Sequence, residues 1–172
     1  MPVTTRHLLI AAALLSLTAC GNTELTARGS VTARAGSLES PFIFDQPTRL
    51  EVPERDAALG LITGSCEMAK VADDTWGIVV EIRRGGTIDD NGLASVTIMQ
   101  RTDAEPGTGR IEAELGTTSF TSSADSCAIE VEYAEPDSGM VGLLGDCGLQ
   151  DAAGNEATIS VDLDLIGCTV LE

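Results

Sequence analysis

From about Ala57 onward, apolar and polar residues alternate with a period of two. "WGIVVEIR" places Trp76, Ile78, Val80 and Ile82 on one face, and "LASVTIM" does the same with Val96 and Ile98. "RIEAEL" sets Ile111, Ala113 and Leu115 against Glu112 and Glu114. "AIEVEY" sets Ile129, Val131 and Tyr133 against Glu130 and Glu132, and "TISVDLDL" sets Ile159, Val161, Leu163 and Leu165 against Asp162 and Asp164. Apolar-in, acid-out alternation marks half-buried antiparallel strands, because successive side chains of an extended chain point to opposite faces. Turn-forming clusters separate the runs: "RRGGTIDDNG", "DAEPGTG", "TSSADS", "EPDSG" and "DAAGN". Gly116 and Gly167 interrupt the alternation, since Phe120, Ile166 and Cys168 fall on the opposite parity, so each glycine is expected at a bulge or bend. No run carries a helical period.

About eight short strands with short links predict an all-β domain over 42–172, closed as an antiparallel β-sandwich or, alternatively, as a small up-and-down β-barrel. The sandwich is preferred because the inward residues are medium-sized aliphatics, which pack against a facing sheet, and nothing obvious would line a polar interior. At the start of the domain, "FIF" at 42–44 and "RLEV" at 49–52, interrupted by Pro47 and Pro53, suggest an edge strand or a docking segment.

The start of the chain follows a different pattern. Arg6 and His7 precede "LLIAAALLSL", an apolar run from Leu8 to Leu17. That run is too short for the ~20 residues of a membrane-spanning helix and has the form of a secretory signal peptide. Leu17, Thr18, Ala19 and Cys20 then resemble the lipobox of bacterial lipoproteins. The resemblance covers only this segment. It implies a cleaved signal peptide at 1–19, acylation of Cys20, and attachment to the cell envelope through those acyl chains. Gly21, rather than aspartate, follows the cysteine, which by the same resemblance directs the protein to an outer membrane. Several acyl chains anchor firmly where a single one is marginal. Residues 20–41, rich in Gly, Ser, Thr, Ala and Arg, are expected to form the lipidated cysteine and a flexible tether.

Charge and residue usage exclude several functions. The chain carries 10 basic and 27 acidic residues, a formal net charge of −17 at pH 7. Such a surface repels nucleic-acid phosphates and anionic lipid, and would attract cations or a basic protein partner. His7 is the only histidine and leaves with the signal peptide. The mature chain thus lacks the usual general base and the commonest metal ligand, which excludes histidine-dependent serine or cysteine hydrolases and histidine-ligated zinc. Three Phe, one Trp and one Tyr provide few stacking platforms for sugars or single-stranded nucleic acid.

Cys66, Cys127, Cys147 and Cys168 remain. In an exported chain they are expected to form disulfides, for which four thiols allow three pairings. Reading "CAIEVEY" and "VGLLGDC" as a hairpin around "AEPDSGM", with Tyr133 opposite Val141, puts Val131 opposite Leu143, Ile129 opposite Gly145 and Cys127 opposite Cys147. Cys66 is then left with Cys168. A tetrahedral cysteine metal site is the rival, but no CxxC spacing supports it.

Other candidate sites have plainer explanations. Calcium favours oxygen-rich loops, and Asp89, Asp90 and Asn91 form one such loop while Asp151, Asn155 and Glu156 form another. Neither fits EF-hand spacing, and Asp, Asn and Gly also dominate ordinary turns. The acidic stripes would recruit a cation if their strands were neighbours, and two such carboxylates could serve a glycoside hydrolase. A solvated sheet face explains them more simply. Arg83 and Arg84 before Gly85 and Gly86 suggest an anion-binding turn or plain turn chemistry, and Trp76, Met68, Met99 and Met140 are assigned to packing. The expectation is a membrane-anchored envelope lipoprotein whose β-domain binds or supports without catalysing, needs no cofactor, and has no catalytic residue. The alternatives are a carrier of a small apolar ligand inside a barrel and a carboxylate-dependent hydrolase.

Overall fold

The computed structural model describes residues 24–51, 60–86, 92–105 and 108–172. Every regular element among them is a strand: β1 (Leu25–Ala35), β2 (Leu38–Leu50), β3 (Ile62–Ala72), β4 (Thr75–Arg84), β5 (Leu93–Arg101), β6 (Arg110–Leu115), β7 (Thr118–Glu135), β8 (Met140–Asp151), β9 (Glu156–Ile166) and β10 (Thr169–Leu171). The all-β expectation holds. All ten strands belong to one sheet, in the order β10-β3-β4-β5-β6-β7-β8-β9-β1-β2. Chain neighbours from β3 to β9 pair as antiparallel hairpins, and only β10 lies parallel to its partner.

The hydrogen-bond ladder is therefore continuous, where a sandwich would divide it into two sheets. The sheet is mixed and curls into a half-barrel. The two largest of its ladder irregularities interrupt the regular pairing. Between Ala27 and Gly29, β1 takes one residue where β2 takes three, and between Ser122 and Cys127 β7 carries extra residues opposite Gly148. Two glycines tighten the curl beside them. Gly29 has φ 106° and Gly145 has φ 142°. A Cβ on either would lie 2.0 Å from a neighbouring strand's carbonyl oxygen, that of Asp162 or of Ala128. Only glycine tolerates both that backbone and that approach.

The curl lays β2 across the start of β3, the end of β4 and the start of β5. Glu51 bridges to Thr63, with Gly64 N donating to Glu51 O at 2.8 Å. Arg84 Nη2 donates to the Pro41 carbonyl at 3.2 Å with its guanidinium 5.3 Å from the Phe42 ring centre, and Leu93 N donates to Ser40 Oγ at 2.7 Å. Farther round, the buried Gln100 amide donates to Ile129 O at 2.6 Å and ties β5 to β7. The concave side is filled by one contiguous apolar cluster that includes Phe42, Phe44, Met68, Ile78, Ile111 and Leu143.

The tether expected over 20–41 does not extend to its described part, because residues 25–35 belong to β1 and 38–41 to β2. β1 pairs with β2 on one side and β9 on the other. Its inward positions are Leu25, Ala27, Val31 and Ala33, all buried. Small residues suffice there because neighbouring strands approach on both sides, and they give a weak hydropathy signal. The domain accordingly starts well before 42. "FIF" lies in β2 as an edge strand, with Phe42 and Phe44 in the core and Ile43 exposed. Pro41 and Pro47 suit an edge, where a missing N–H costs no ladder bond.

The β7–β8 hairpin keeps the expected register at Cys127–Cys147, Ile129–Gly145 and Val131–Leu143, then slips at a bulge, so that Tyr133 faces Gly142 rather than Val141. The slip turns Tyr133 out of the inward row and onto the rung of Asp164, its ring covering the bare Gly142 backbone. Gly116 lies in the β6–β7 turn, and Gly167 forms the corner between β9 and β10.

Candidate functional site

The disulfides are Cys66–Cys168 and Cys127–Cys147. The first fastens β3 to the corner from which β10 departs, and the second joins facing residues of β7 and β8. All four cysteines are buried. Cys20 lies outside the described residues.

Outward-facing residues of β3 to β6 build an apolar concavity. In β4, Ile78 and Val80 point into the core, so Gly77 and Val79 point out. The ladder places Gly77 beside Ala69 of β3, and Val79 beside Met99 of β5. Met99, assigned to packing from the sequence, lines this outer trough, whereas Met68 is fully buried. Val71 reaches over Gly77, where an added Cβ would meet Val71 Cγ2 at 3.2 Å. The trough has a volume of about 620 Å³. Its rim holds Arg101, which donates to both carboxylate oxygens of Asp103 at 2.9 and 2.8 Å, and Arg110, which is 2.7 Å from Glu112. The chemistry on offer is apolar burial beside two arginines that already have carboxylate partners. The sequence carried a signal for this surface: Val79 and Met99 are apolar at outward parity, in runs whose other parity already supplies the core.

A second groove, of about 510 Å³, runs along the outer face beside the 123–126 bulge and is lined by Arg34, Ser126, Gly148, Glu156 and Thr158 among others. Ser126 Oγ lies 2.8 Å from the Gly148 carbonyl and 3.1 Å from Ser123 N, so the hydroxyl closes the bulge onto β8. Arg34 is paired with Glu39 at 3.0 Å.

The calcium candidates divide. Asp89, Asp90 and Asn91 lie outside the described residues. Asp151 is the acceptor hub of the β8–β9 turn: one carboxylate oxygen accepts from Ala153 N and Asn155 N, each at 2.8 Å, and the other accepts from the Asn155 amide at 2.7 Å. These donors hold its carboxyl below the usual carboxylate range, the Asn155 side chain contributing most. Asn155 thus points its amide N–H, not its oxygen, at Asp151, and Glu156 belongs to the neighbouring groove. Among the described residues, no three His, Cys, Asp or Glu side chains cluster as metal ligands.

The acidic stripes do not crowd. Glu130 and Asp162 share a rung but are separated by Leu144 of β8. Glu112 lies between Thr97 and Thr121, and Glu114 accepts from Ser95 Oγ at 2.9 Å. Asp164, opposite Arg28, accepts from Tyr133 Oη at 2.7 Å. Desolvation first, then that hydrogen bond, pushes the Tyr133 phenol up to about 12. Arg83 pairs with Glu81, and Arg84 is committed to Pro41 and Phe42, so these two residues serve internal contacts. Trp76 is half-buried against the core cluster.

No family model matches the chain, and neither curated proteins nor solved structures show a match to it.

Proposed function

We propose that the protein is a lipoprotein of the bacterial envelope, anchored through an acylated Cys20 and directed to the outer membrane, whose β-domain binds rather than catalyses. The observation that carries the binding role is the outward apolar trough between β3 and β6. A sheet face turned to water normally carries polar residues, and here Val71 of β3 and Val79 of β4 are 52 and 41 % exposed, with Leu171 of the adjoining β10 46 % exposed. Contiguous exposed apolar surface marks an interaction site more often than scattered single residues do. The two disulfides accord with export, since such bonds persist in oxidising compartments. A rigid, cross-linked scaffold also suits recognition, because a preformed surface loses little conformational entropy on binding.

We read the half-barrel as a flattened one. Its β3–β6 half faces its β8–β2 half across the core, which retains the two-layer packing of the expected sandwich. The Arg84–Pro41, Leu93–Ser40 and Gln100–Ile129 bonds support that reading.

The anchor is tested in a bacterial host by labelling with radioactive palmitate. The wild-type chain should take up label and sediment with membranes. The Cys20→Ala chain should do neither, and label retained by that variant would overturn the reading.

A further inference from the structure

We propose that the outer trough of β3 to β6 receives the same trough of a second copy, the two related by a twofold axis that runs along the strands between β4 and β5. The proposal rests on the reading of the trough as a binding surface and names its occupant.

The order of side chains across the four strands carries it. Glu67, Val79, Met99 and Arg110 stand side by side on one outward rung, and Ser65, Glu81, Thr97 and Glu112 stand on another. A half-turn about the axis between β4 and β5 lays β3 of one copy over β6 of the other, and β4 over β5. On the first rung Glu67 then meets the partner's Arg110, and Val79 meets the partner's Met99. On the second, Glu81 meets the partner's Thr97, and Ser65 meets the partner's Glu112. Each carboxylate of both rungs faces a guanidinium or a hydroxyl. An axis laid along the first rung instead would set Glu67 against Glu67 and Arg110 against Arg110, and like charges brought together across an interface are costly. A twofold interface uses one patch twice, so the patch must be self-complementary, and these rungs are.

The side chains are free to make those contacts. Glu67 is exposed. Arg110 lies 2.7 Å from Glu112 through Nη2, yet its side chain is 60 % exposed, and a guanidinium has five N–H donors, enough for a second carboxylate. Between the charges, Val79 is 41 % exposed and Met99 is half-buried. They adjoin Ala69 and Gly77, whose small size lets a facing sheet approach. Methionine adapts its shape to an apolar neighbour, and facing sheets pack through such apolar rows about 10 Å apart. The net charge of −17 opposes association. Salt screens it beyond about 8 Å at physiological ionic strength and acts far less on close pairs such as Glu67 with the partner's Arg110.

The test expresses the full chain in a bacterial host as two differently tagged forms, Glu67→Cys and Arg110→Cys, and treats the membranes with a short bismaleimide. Co-expressed, the two forms should yield a mixed covalent dimer. Expressed singly, neither should dimerise, because the axis keeps like positions three strand spacings, about 14 Å, apart. Leu144→Cys, on the exposed surface of β8, should also yield none. If either variant fails to fold, Val79→Cys replaces both: it lies one strand spacing from its own copy across the axis and should bridge to itself. Equal bridging in the mixed and single expressions, or none in any, would overturn the second copy as occupant. Nile red added to the Cys20→Ser form of residues 20–172 then separates the two readings. Fluorescence that rises on this protein and is lost in Val79→Glu would leave the trough a binding surface for another occupant, whereas no rise would overturn its binding role as well.

Discussion

The two disulfides allow a direct comparison, since one closes a long loop and the other a short one. Cys66 and Cys168 are 102 residues apart, and Cys127 and Cys147 are 20 apart. In the chain-entropy account a cross-link restricts the unfolded ensemble more as its loop lengthens, by about 4.7 kcal/mol for a loop near 100 residues and about 3 kcal/mol for one near 15. The logarithmic dependence gives a difference of about 1.4 kcal/mol between the two bridges here. The native-state terms are closely matched, because the four cysteines are between 1 and 4 % exposed and each pair loses the same atoms on replacement by alanine. The measurement is urea unfolding of the Cys20→Ser form of residues 20–172 against its Cys66→Ala/Cys168→Ala and Cys127→Ala/Cys147→Ala derivatives. The seam variant should be the less stable by roughly that difference. It should also lose amide protection first in Thr169–Leu171, since β10 is three residues long and is paired only with β3. Equal stabilities, or a hairpin variant weaker than the seam variant, would refute the argument from loop length.

Three further outcomes follow from named groups. The chain has a single tyrosine, so the ultraviolet absorbance of phenolate reads Tyr133 alone, and its midpoint should fall near 12 rather than near the usual phenol value of about 10. A phenol whose pKa is raised by folding stabilises the native state below the unfolded pKa and loses that contribution as pH rises through the folded one, so Tyr133→Phe should flatten the stability profile between pH 10 and 12. Gly29→Ala would place a Cβ 2.0 Å from the Asp162 carbonyl oxygen at φ 106°, and it should destabilise the domain by more than about 1 kcal/mol in the same urea assay. Calcium should leave the thermal midpoint of the wild-type protein unchanged relative to chelator, because Asp151 already accepts from Ala153, Asn155 N and the Asn155 side chain, whereas Asp151→Ala should lower that midpoint by freeing those donors.

The alternation of "TISVDLDL" and "RIEAEL" identified strands and faces correctly because it is a local property: side chains two apart lie on one side whatever the strand pairs with. The Cys127–Cys147 bridge was legible for a related reason, since a short hairpin leaves few registers in which both arms keep their apolar residues inward. The slip beyond Val131 was not legible, because its cause is the close fit of the Tyr133 ring over Gly142, which depends on three strands at once. β1 was missed because a strand flanked on both sides can bury Ala27 and Ala33, residues too small to mark a period. The trough residues were present in the pattern as apolar side chains at outward parity, yet nothing local distinguishes a lone surface valine from one that completes a patch.

By itself, the sequence determined that the chain is built from strands, which face of most of them turns inward, and which hairpin register sets Cys127 opposite Cys147. Tertiary structure alone decided that residues 25–50 join the sheet, that the ladder remains continuous and curls, and that Val71, Val79 and Leu171 meet on one outer face. The physical reason is one of range. Periodicity and hairpin register act over a few residues, whereas curl and patch formation depend on backbone bends at positions such as Gly29 and Gly145, which bear no side chain to announce them, and on contacts between segments as far apart as Thr26 and Ile166.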